Sequence, residues 1–338
     1  MTTEHVSKKV VLVTGGAGYI GSHACQALAA AGWLPVAYDN MSAGHEWAVQ
    51  WGPLEVGDIA DTNRVREIIQ TYKPSAVMHF AGLLAVGESV VEPARYYENN
   101  VLGSFALLDA MRLEGVKNIV FSSTCAVYGE ADVVPIAETS PYNPLSPYGA
   151  SKQMVERMLE DYDRAYGVKF AALRYFNACG ASPDARIGEA HDPETHLIPL
   201  VLDVAIGKRA SIKVFGNDYP TPDGTCLRDY IHVCDLATAH VAALERMLNT
   251  QTSLALNLGT GSGLSVLEII RTAEKVTGRE IPVEIVERRP GDPAALYSDV
   301  RLSRELLPEW SPRFSTANDI IRDAWRWHQR LASANFPG

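Results

Sequence analysis

The chain has 338 residues, 47% of them hydrophobic and 21% charged, with a formal net charge of -10. That is enough apolar sequence for one large domain or two unequal ones, and it excludes a small scaffold held by disulfides. The acidic balance argues against nucleic acid as the main partner, because phosphate-backbone binding needs a basic face, yet a small anionic ligand needs only helix N-termini and a few arginines.

Residues 1–7 read as a short disordered lead-in. Lys8 and Lys9 precede a β-branched run at residues 10–13, then a glycine-rich stretch at 14–21, then a helical pattern to about Gly32. Gly16, Gly18 and Gly21 satisfy G-x-G-x-x-G between a strand and a helix, the context in which such a loop turns backbone N–H groups and a helix N-terminus toward a pyrophosphate. Gly18 and Gly21 of this pattern, with Gly15, Tyr19 and Ile20 of the same stretch, are taken as cofactor candidates. A second strand over residues 34–38 ends at Asp39, eighteen residues after Gly21. Its carboxylate suits a ribose 2′-hydroxyl and repels a 2′-phosphate, and residues 40–44 include no arginine to hold such a phosphate, so NAD is favoured over NADP. An aspartate at a strand end can also be a plain turn residue.

Strands at 54–56, 76–80 and 118–122 alternate with helices near 62–72 and 93–114. This pattern predicts right-handed βαβ units and a parallel sheet covered on both faces. Ligands of such sheets bind at the carboxyl ends of the strands. That rule singles out Asp58 and Ile59 beside an adenine, Phe80, Ala81 and Gly82 where a cofactor lies close to backbone, and Ser122, Ser123 and Thr124.

Residues 146–152, Ser-Pro-Tyr-Gly-Ala-Ser-Lys, form a turn running into a helix. Tyr148 and Lys152 then lie one helical turn apart on one face, so an ammonium sits beside a phenol. A fixed cation favours the phenolate and brings a tyrosine, ordinarily at about 10, toward use as a base near neutrality. Taken alone, a Tyr and a Lys four apart on an exposed helix are common and carry no signal.

Past Asn177 the alternation loosens into Pro- and Gly-rich stretches at 181–195 and 218–224, the sort of long loop that carries binding residues. Strands are expected at 231–233, 254–258 and 283–286, and helices at 264–277 and 317–332. The fold predicted is α/β: a Rossmann-type doubly wound parallel sheet over residues 1–176 and 229–258, with a smaller C-terminal α/β substrate domain over 177–228 and 259–338.

Several stretches together resemble an extended short-chain dehydrogenase/reductase. They are Thr14-Gly15-x-x-Gly18-x-x-Gly21, Asp39-Asn40, His79 to Gly82, Asn99-Asn100, Ser122-Ser123-Thr124 and Tyr148-x-x-x-Lys152. Residues 81–89, 173–177 and 228–232 narrow the resemblance to the UDP-glucose 4-epimerase family, and it runs from about residue 9 to residue 332. The resemblance implies that Tyr148 removes the proton of a sugar 4-hydroxyl while hydride leaves C4 for NAD, that Lys152 lowers the tyrosine pKa and holds the nicotinamide ribose, and that Thr124 hydrogen-bonds the sugar oxygen. Asn40, Asn99 and Tyr175 join the cofactor set. The nucleotide-sugar set it implies is Asn177, His196, Leu197, Lys213, Val214, Phe215, Arg228, Tyr230, Arg289, Asp292 and Leu296, with the two arginines suited to a diphosphate.

Some positions depart from the family's pattern. Leu84 stands where several relatives carry lysine, and His196 where many carry asparagine. Leu296 occupies the position that gates room for the sugar, which leaves UDP-xylose and UDP-N-acetylglucosamine open beside UDP-glucose. A nucleotide-sugar 4,6-dehydratase shares fold, cofactor and first oxidation, but it needs an Asp-Glu pair after the threonine, where this chain has Cys125-Ala126. A non-catalytic dinucleotide sensor on the same fold would be expected to have lost Tyr148, Lys152 or Thr124.

Other residues draw attention without a role. His191, Glu194 and His196 match no zinc spacing, so no metal is expected. His79 reads as a satisfied core histidine. The five cysteines form no C-x-x-C pair, which fits reduced, buried thiols and a cytoplasmic protein. No apolar run reaches the roughly 18 residues of a membrane span. A homodimer is expected through the helices near 93–114 and 148–166, with Val101, Phe105, Met154 and Met158 as apolar contacts.

Overall fold

A computed structural model describes residues 9–289 and 291–333, so the lead-in expected at 1–7 lies outside the described residues. The first half alternates as predicted. β1 (Val10–Thr14) enters the glycine loop and α1 (Tyr19–Ala30), followed by β2 (Leu34–Asp39), β3 (Leu54–Val56), α2 (Thr62–Tyr72) and β4 (Ala76–His79). The short helices α3 (Val86–Val91) and α4 (Pro93–Tyr96) precede α5 (Gly103–Glu114), β5 (Asn118–Thr124), the long α6 (Pro147–Tyr166) and β6 (Lys169–Tyr175).

The start and stop of α6 are written in its sequence. Ser146 caps it by accepting from Gly149 N at 3.2 Å, Pro147 occupies the first turn, and Gly167 ends it with φ 68°. A left-handed residue at that position favours glycine.

The single helix expected over 93–114 is instead divided by a π-helical turn, Tyr97–Leu102. Asn100 lies buried in that turn. Its amide donates to Leu83 O (3.0 Å) and Ser151 Oγ (3.1 Å), and its carbonyl accepts from Leu83 N (2.8 Å). A buried amide must be paired, and the widened turn lets this one reach two neighbouring segments at once.

The second half supplies β7 (Asn177–Cys179), α7 (Leu197–Ala205), β8 (Ile212–Phe215), β9 (Leu227–Arg228), β10 (Tyr230–His232) and α8 (Val233–Thr250). After them come β11 (Leu254–Leu258), β12 (Leu264–Ser265), α9 (Val266–Thr277), β13 (Val283–Val286), β14 (Ala295–Leu296), α10 (Arg301–Leu306) and α11 (Ala317–Ser333). The helix expected from residue 264 begins two residues later because Ser265 is its cap. Ser265 Oγ accepts from Glu268 N (3.0 Å) while Glu268 reaches back to Ser265 N (2.7 Å), a reciprocal capping box.

Seven strands form one sheet in the order β11-β6-β5-β4-β1-β2-β3. β1 runs parallel to both β2 and β4, β2 to β3, and β4 to β5. The strand order reverses direction between β1 and β4, the switch point at which open α/β sheets bind ligands. The predicted Rossmann-type sheet is what the chain forms.

Two compact units emerge from the packing. The first comprises residues up to Ser123, Ser146–Ala172 and His240–Leu254; the second comprises Thr124–Leu145, Leu173–Ala239 and residues from Ala255 on. In the first, Val11, Leu12, Val13, Val36, Val77, Met78, Leu107 and Ile119 are buried. In the second, one core joins Ile198, Val201 and Leu202 of α7, Val214 of β8, Ile269 and Ile270 of α9, and Ile320 and Ile321 of α11. Among the described residues no helix is long and apolar enough to cross a membrane.

Candidate active site

The glycine loop of the first unit has room for backbone alone. A Cβ on Gly15 (φ +71°) would stand 2.6 Å from Ala81 N, and one on Gly21 would stand 2.0 Å from Gly15 O. Gly16 meets Ala37 equally closely, at 2.7 Å. Gly18, the N-cap of α1, offers no side chain to the helix's first N–H groups, and the first turn holds no acid. The result is an uncapped helix N-terminus at the switch point, a fit for a pyrophosphate.

Asp39 closes the loop. Its Oδ2 accepts from Ala17 N (3.0 Å) and its Oδ1 from Met41 N (2.9 Å). Each carboxylate oxygen keeps acceptor capacity for a ribose hydroxyl. Asn40 Nδ2 donates to Asp58 Oδ2 (2.9 Å), and Tyr38 OH donates to Asp58 O (2.7 Å), so the ends of β2 and β3 are tied together where Asp58 and buried Ile59 follow. These residues fit a dinucleotide whose ribose hydroxyl is free, the NAD form.

On the far side of the switch point, Phe80 N and Ala81 N both donate to Thr14 O, at 2.9 and 3.1 Å. A Cβ on Gly82 would stand 3.3 Å from Asn100 Oδ1 and 3.4 Å from Lys152 Nζ. Gly82 therefore brings the cofactor loop against the helix that carries the proposed base. Asn99 donates to Asn100 Oδ1 at 2.9 Å, so the buried Asn100 holds that region and the expected Asn99 supports it. His79 behaves as a core histidine: Nδ1 pairs with Thr14 Oγ1 (2.7 Å) and Nε2 with Ser104 Oγ (2.9 Å). Burial, with Lys152 nearby, pushes its pKa down to about 3, so it is neutral.

Lys152 is 5% exposed, not the solvated lysine that an exposed helix would carry. Nζ donates to Ser122 O at 3.0 Å and stands over the Phe121 ring at 5.0 Å from its centroid. Burial pulls its pKa down to about 8, against the opposing pull of Glu156. Tyr148, half-buried, lies one turn earlier on the same helix face. Glu156 is 3% exposed and accepts from the Ser123 hydroxyl. The i, i+4 spacing of Tyr148 and Lys152 continues one step further along α6 to Glu156.

The second unit holds the expected nucleotide-sugar residues. Thr124 caps the short turn Cys125–Val127, its Oγ1 accepting from Ala126 N (3.2 Å). Cys125 is inert: burial pushes its thiol up to about 12 despite Arg228. Asn177 is tied to the strand beside it, with both N and Nδ2 donating to Asp229 O at 3.1 and 2.9 Å.

Arg228 and Asp292 meet each other. The guanidinium pairs with Asp292 Oδ1 and also donates to Leu227 O (2.7 Å) and Pro293 O (3.0 Å). Arg289 stacks on Phe215 at 3.9 Å. The side chain of Val214, 1% exposed, and that of Tyr230, 5% exposed, belong to the unit's core, and Lys213 points outward. Leu296 is in register with Arg228 and packs on the small cluster of Cys125, Val127, Tyr128 and Ile136. Tyr175 ends β6 in this unit.

Asp229, to which sequence alone assigns no role, is the hub of this strand group. Fully buried, it accepts from Thr260 N and Oγ1 (both 2.8 Å), Gly261 N (3.3 Å) and Ser298 N and Oγ (3.1 and 2.6 Å). It thereby fixes the segments on either side of Arg228 and Leu296.

His196, the N-cap of α7 ahead of Leu197, is joined by a residue that spacing did not reveal. Glu189 Oε1 lies 2.7 Å from His196 Nδ1 and 3.0 Å from His191 Nδ1, and Glu194 Oε1 lies 3.1 Å from His196 Nδ1. Burial works against charging His196, but its hydrogen bonds to Glu189 and Glu194 raise it to about 10. Burial likewise opposes ionising Glu189, and the two histidines hold it at about 2. These groups lie within 4.8 Å of one another, and the arrangement is an imidazolium between two carboxylates.

Residues 11–259 match the model of the NAD dependent epimerase/dehydratase family. The chain is 51% identical over 322 residues to the UDP-glucose 4-epimerase of Rhizobium leguminosarum bv. trifolii, covering 95% of this chain and 98% of that one. The crystal structure of UDP-glucose 4-epimerase from Brucella ovis in complex with NAD superposes with a TM-score of 0.93 at 51% identity, covering 95% and 98% of the two chains. The enzyme of that name from Stenotrophomonas maltophila, with bound NAD and formylated UDP-arabinopyranose, gives 0.93 at 42% identity over 96% and 99%. With its glycine cradle, ribose carboxylate and buried lysine in place, the chain belongs to the NAD dependent epimerase/dehydratase family.

Proposed function

We propose that this chain interconverts UDP-glucose and UDP-galactose as an NAD-dependent 4-epimerase. The observation that carries the reading is Tyr148 on the face of α6 that also holds the buried Lys152, with Cys125-Ala126 in place of a carboxyl pair after Thr124. One proton carrier without a second acid or base suits a reversible reaction at one carbon. A 4,6-dehydratase needs further acid and base groups to eliminate water.

The first unit takes the dinucleotide. Gly15, Gly18, Tyr19, Ile20 and Gly21 hold the pyrophosphate, Asp39 and Asn40 the ribose, Asp58 and Ile59 the adenine, and Phe80, Ala81, Gly82, Asn99 and Lys152 the nicotinamide half, with Tyr175 beside it. Bound NAD supplies a hydride acceptor that later returns the same hydride. Tyr148, as phenolate, takes the proton of the sugar 4-hydroxyl and afterwards gives it back to the oxygen of the 4-keto sugar. Lys152 keeps a positive charge beside that oxygen, and Thr124 donates to the sugar. The second unit grips the nucleotide through Asn177, His196, Leu197, Lys213, Phe215, Arg228, Arg289 and Asp292, while Val214 and Tyr230 have their side chains in the unit's core. Leu296 bounds the space in which the ketose turns over.

Purified protein given UDP-galactose and NAD should produce UDP-glucose with no accumulation of NADH at 340 nm (about the usual NADH band). Absence of UDP-glucose at any protein concentration would sink the assignment. UDP-xylose and UDP-N-acetylglucosamine, run in parallel, rank the sugars admitted past Leu296.

A homodimer belongs to the same reading. Leu102, Phe105 and Met154, exposed at 61%, 50% and 44%, are large apolar side chains on the π-helical turn, α5 and α6 of the first unit. Such exposure on adjacent helices suits a partner surface. Light scattering is expected to report a dimer for the wild type and a monomer for Phe105→Glu/Met154→Glu. A wild-type monomer would contradict it.

A further inference from the structure

Glu156 has no part in the mechanism above, yet it is placed as though it had one. Tyr148, Lys152 and Glu156 follow at four-residue intervals along α6, so all three share one face over two turns. Lys152 and Glu156 are 5% and 3% exposed. Each is held by one of two consecutive residues near the end of β5: Lys152 Nζ donates to the carbonyl of Ser122 at 3.0 Å, and the hydroxyl of Ser123 donates to Glu156 Oε1. A carboxylate is rarely buried this deeply without a purpose that offsets its lost hydration.

We propose that Glu156 is a positioning residue: the buried counter-ion that keeps Lys152 protonated at working pH and so maintains the cation on which the basicity of Tyr148 depends. This rests on the reading of Tyr148 as the proton carrier. Among the described carboxyl groups on the elements packed against this part of α6, Glu156 is the one buried beside Lys152. From β4, His79 is neutral; from β5 come the Ser122 carbonyl and the Phe121 ring. The π-helical turn contributes the Asn100 amide and an exposed Glu98. Glu88 of α3 pairs with Arg95 of α4, Glu92 is exposed, and Asp109 of α5 pairs with Arg112. Burial already draws the ammonium down to about 8, and Glu156 acts in the opposite direction. Without it, charge on Lys152 would be lost closer to neutrality.

The test is the pH profile of kcat for UDP-galactose conversion by the NAD-loaded enzyme. In Glu156→Gln the alkaline limb is expected to move down by about one pH unit, with bound NAD retained; in Glu156→Asp it moves back toward the wild type. In Lys152→Met, where there is no ammonium to hold, adding Glu156→Gln should leave the profile of the residual activity unmoved. If Glu156→Gln does not fold, Ser123→Ala, which loosens the carboxylate without removing it, is expected to shift the limb in the same direction by less. An alkaline limb that coincides with the wild type in whichever variant folds overturns the proposal, however far kcat falls. Tyr148→Phe measured alongside separates the two ideas: a nearly unimpaired Tyr148→Phe refutes the tyrosine base, whereas an unmoved limb with an inactive Tyr148→Phe refutes only Glu156.

Discussion

Tyr148→Phe is expected to lower kcat by about 10² to 10⁴-fold, the usual worth of a positioned acid–base group, while leaving bound NAD and the KM for UDP-galactose close to wild type. The argument is one of chemistry held apart from binding. The substitution removes a single oxygen from a half-buried side chain on a helix that is capped by Ser146 and anchored by buried Val155 and Leu159, so the scaffold has no reason to move. What disappears is the hydroxyl proposed to take the proton from the 4-hydroxyl and return it. Turnover by the variant is read as UDP-glucose formed per bound NAD. A loss below about tenfold would remove Tyr148 from the role.

Lys152→Met is expected to cost a comparable factor, about 10² to 10³-fold near pH 7, with a telling pH dependence. Without the ammonium the phenol returns toward its ordinary value of about 10, so residual activity should climb with pH through the range in which the wild type passes onto its alkaline limb. A second measurement checks the buried cation itself. Its pKa lies near 8 in the folded protein against an ordinary 10.5. A cation with a depressed folded value is penalised by folding while it is charged. The unfolded chain therefore binds more protons between about 8 and 10.5, and this lysine's contribution to stability becomes more favourable as pH rises through that window. Thermal unfolding of wild type minus Lys152→Met should show that rise; a flat difference would mean that Lys152 is not titrating in a buried site.

Much of the first unit was legible because its signals are local. A strand, a glycine loop and a helix announce themselves within about a dozen residues, and the positions where Gly15 and Gly21 must lack a Cβ are the positions where backbone presses on backbone at 2.6 and 2.0 Å. Asp39 stood out because strand ends point to the ligand side of a parallel sheet. Legibility ended where the partner was distant in sequence. Nothing in the run Asn99-Asn100 says which amide is buried, and the π-helical turn that breaks the expected helix exists to satisfy Asn100 against Leu83 and Ser151. The side chains of Val214 and Tyr230 lie in the second core, which the sequence did not show, because alternation along a strand is visible while the choice of face is not.

By itself, the sequence determined the alternating α/β order, the dinucleotide cradle, the choice of NAD and the Tyr148/Lys152 spacing. Each depends on residues near one another in the chain and on the fixed periods of strand and helix. Tertiary structure alone decided the electrostatics. It buried Lys152 against Ser122 and set Glu156 on Ser123, gathered five donors from two distant segments onto Asp229, and closed Glu189 and Glu194 around His196. The physical reason is that the energy of a charge is set by the water removed from it and the partners supplied in exchange, and both are properties of packing.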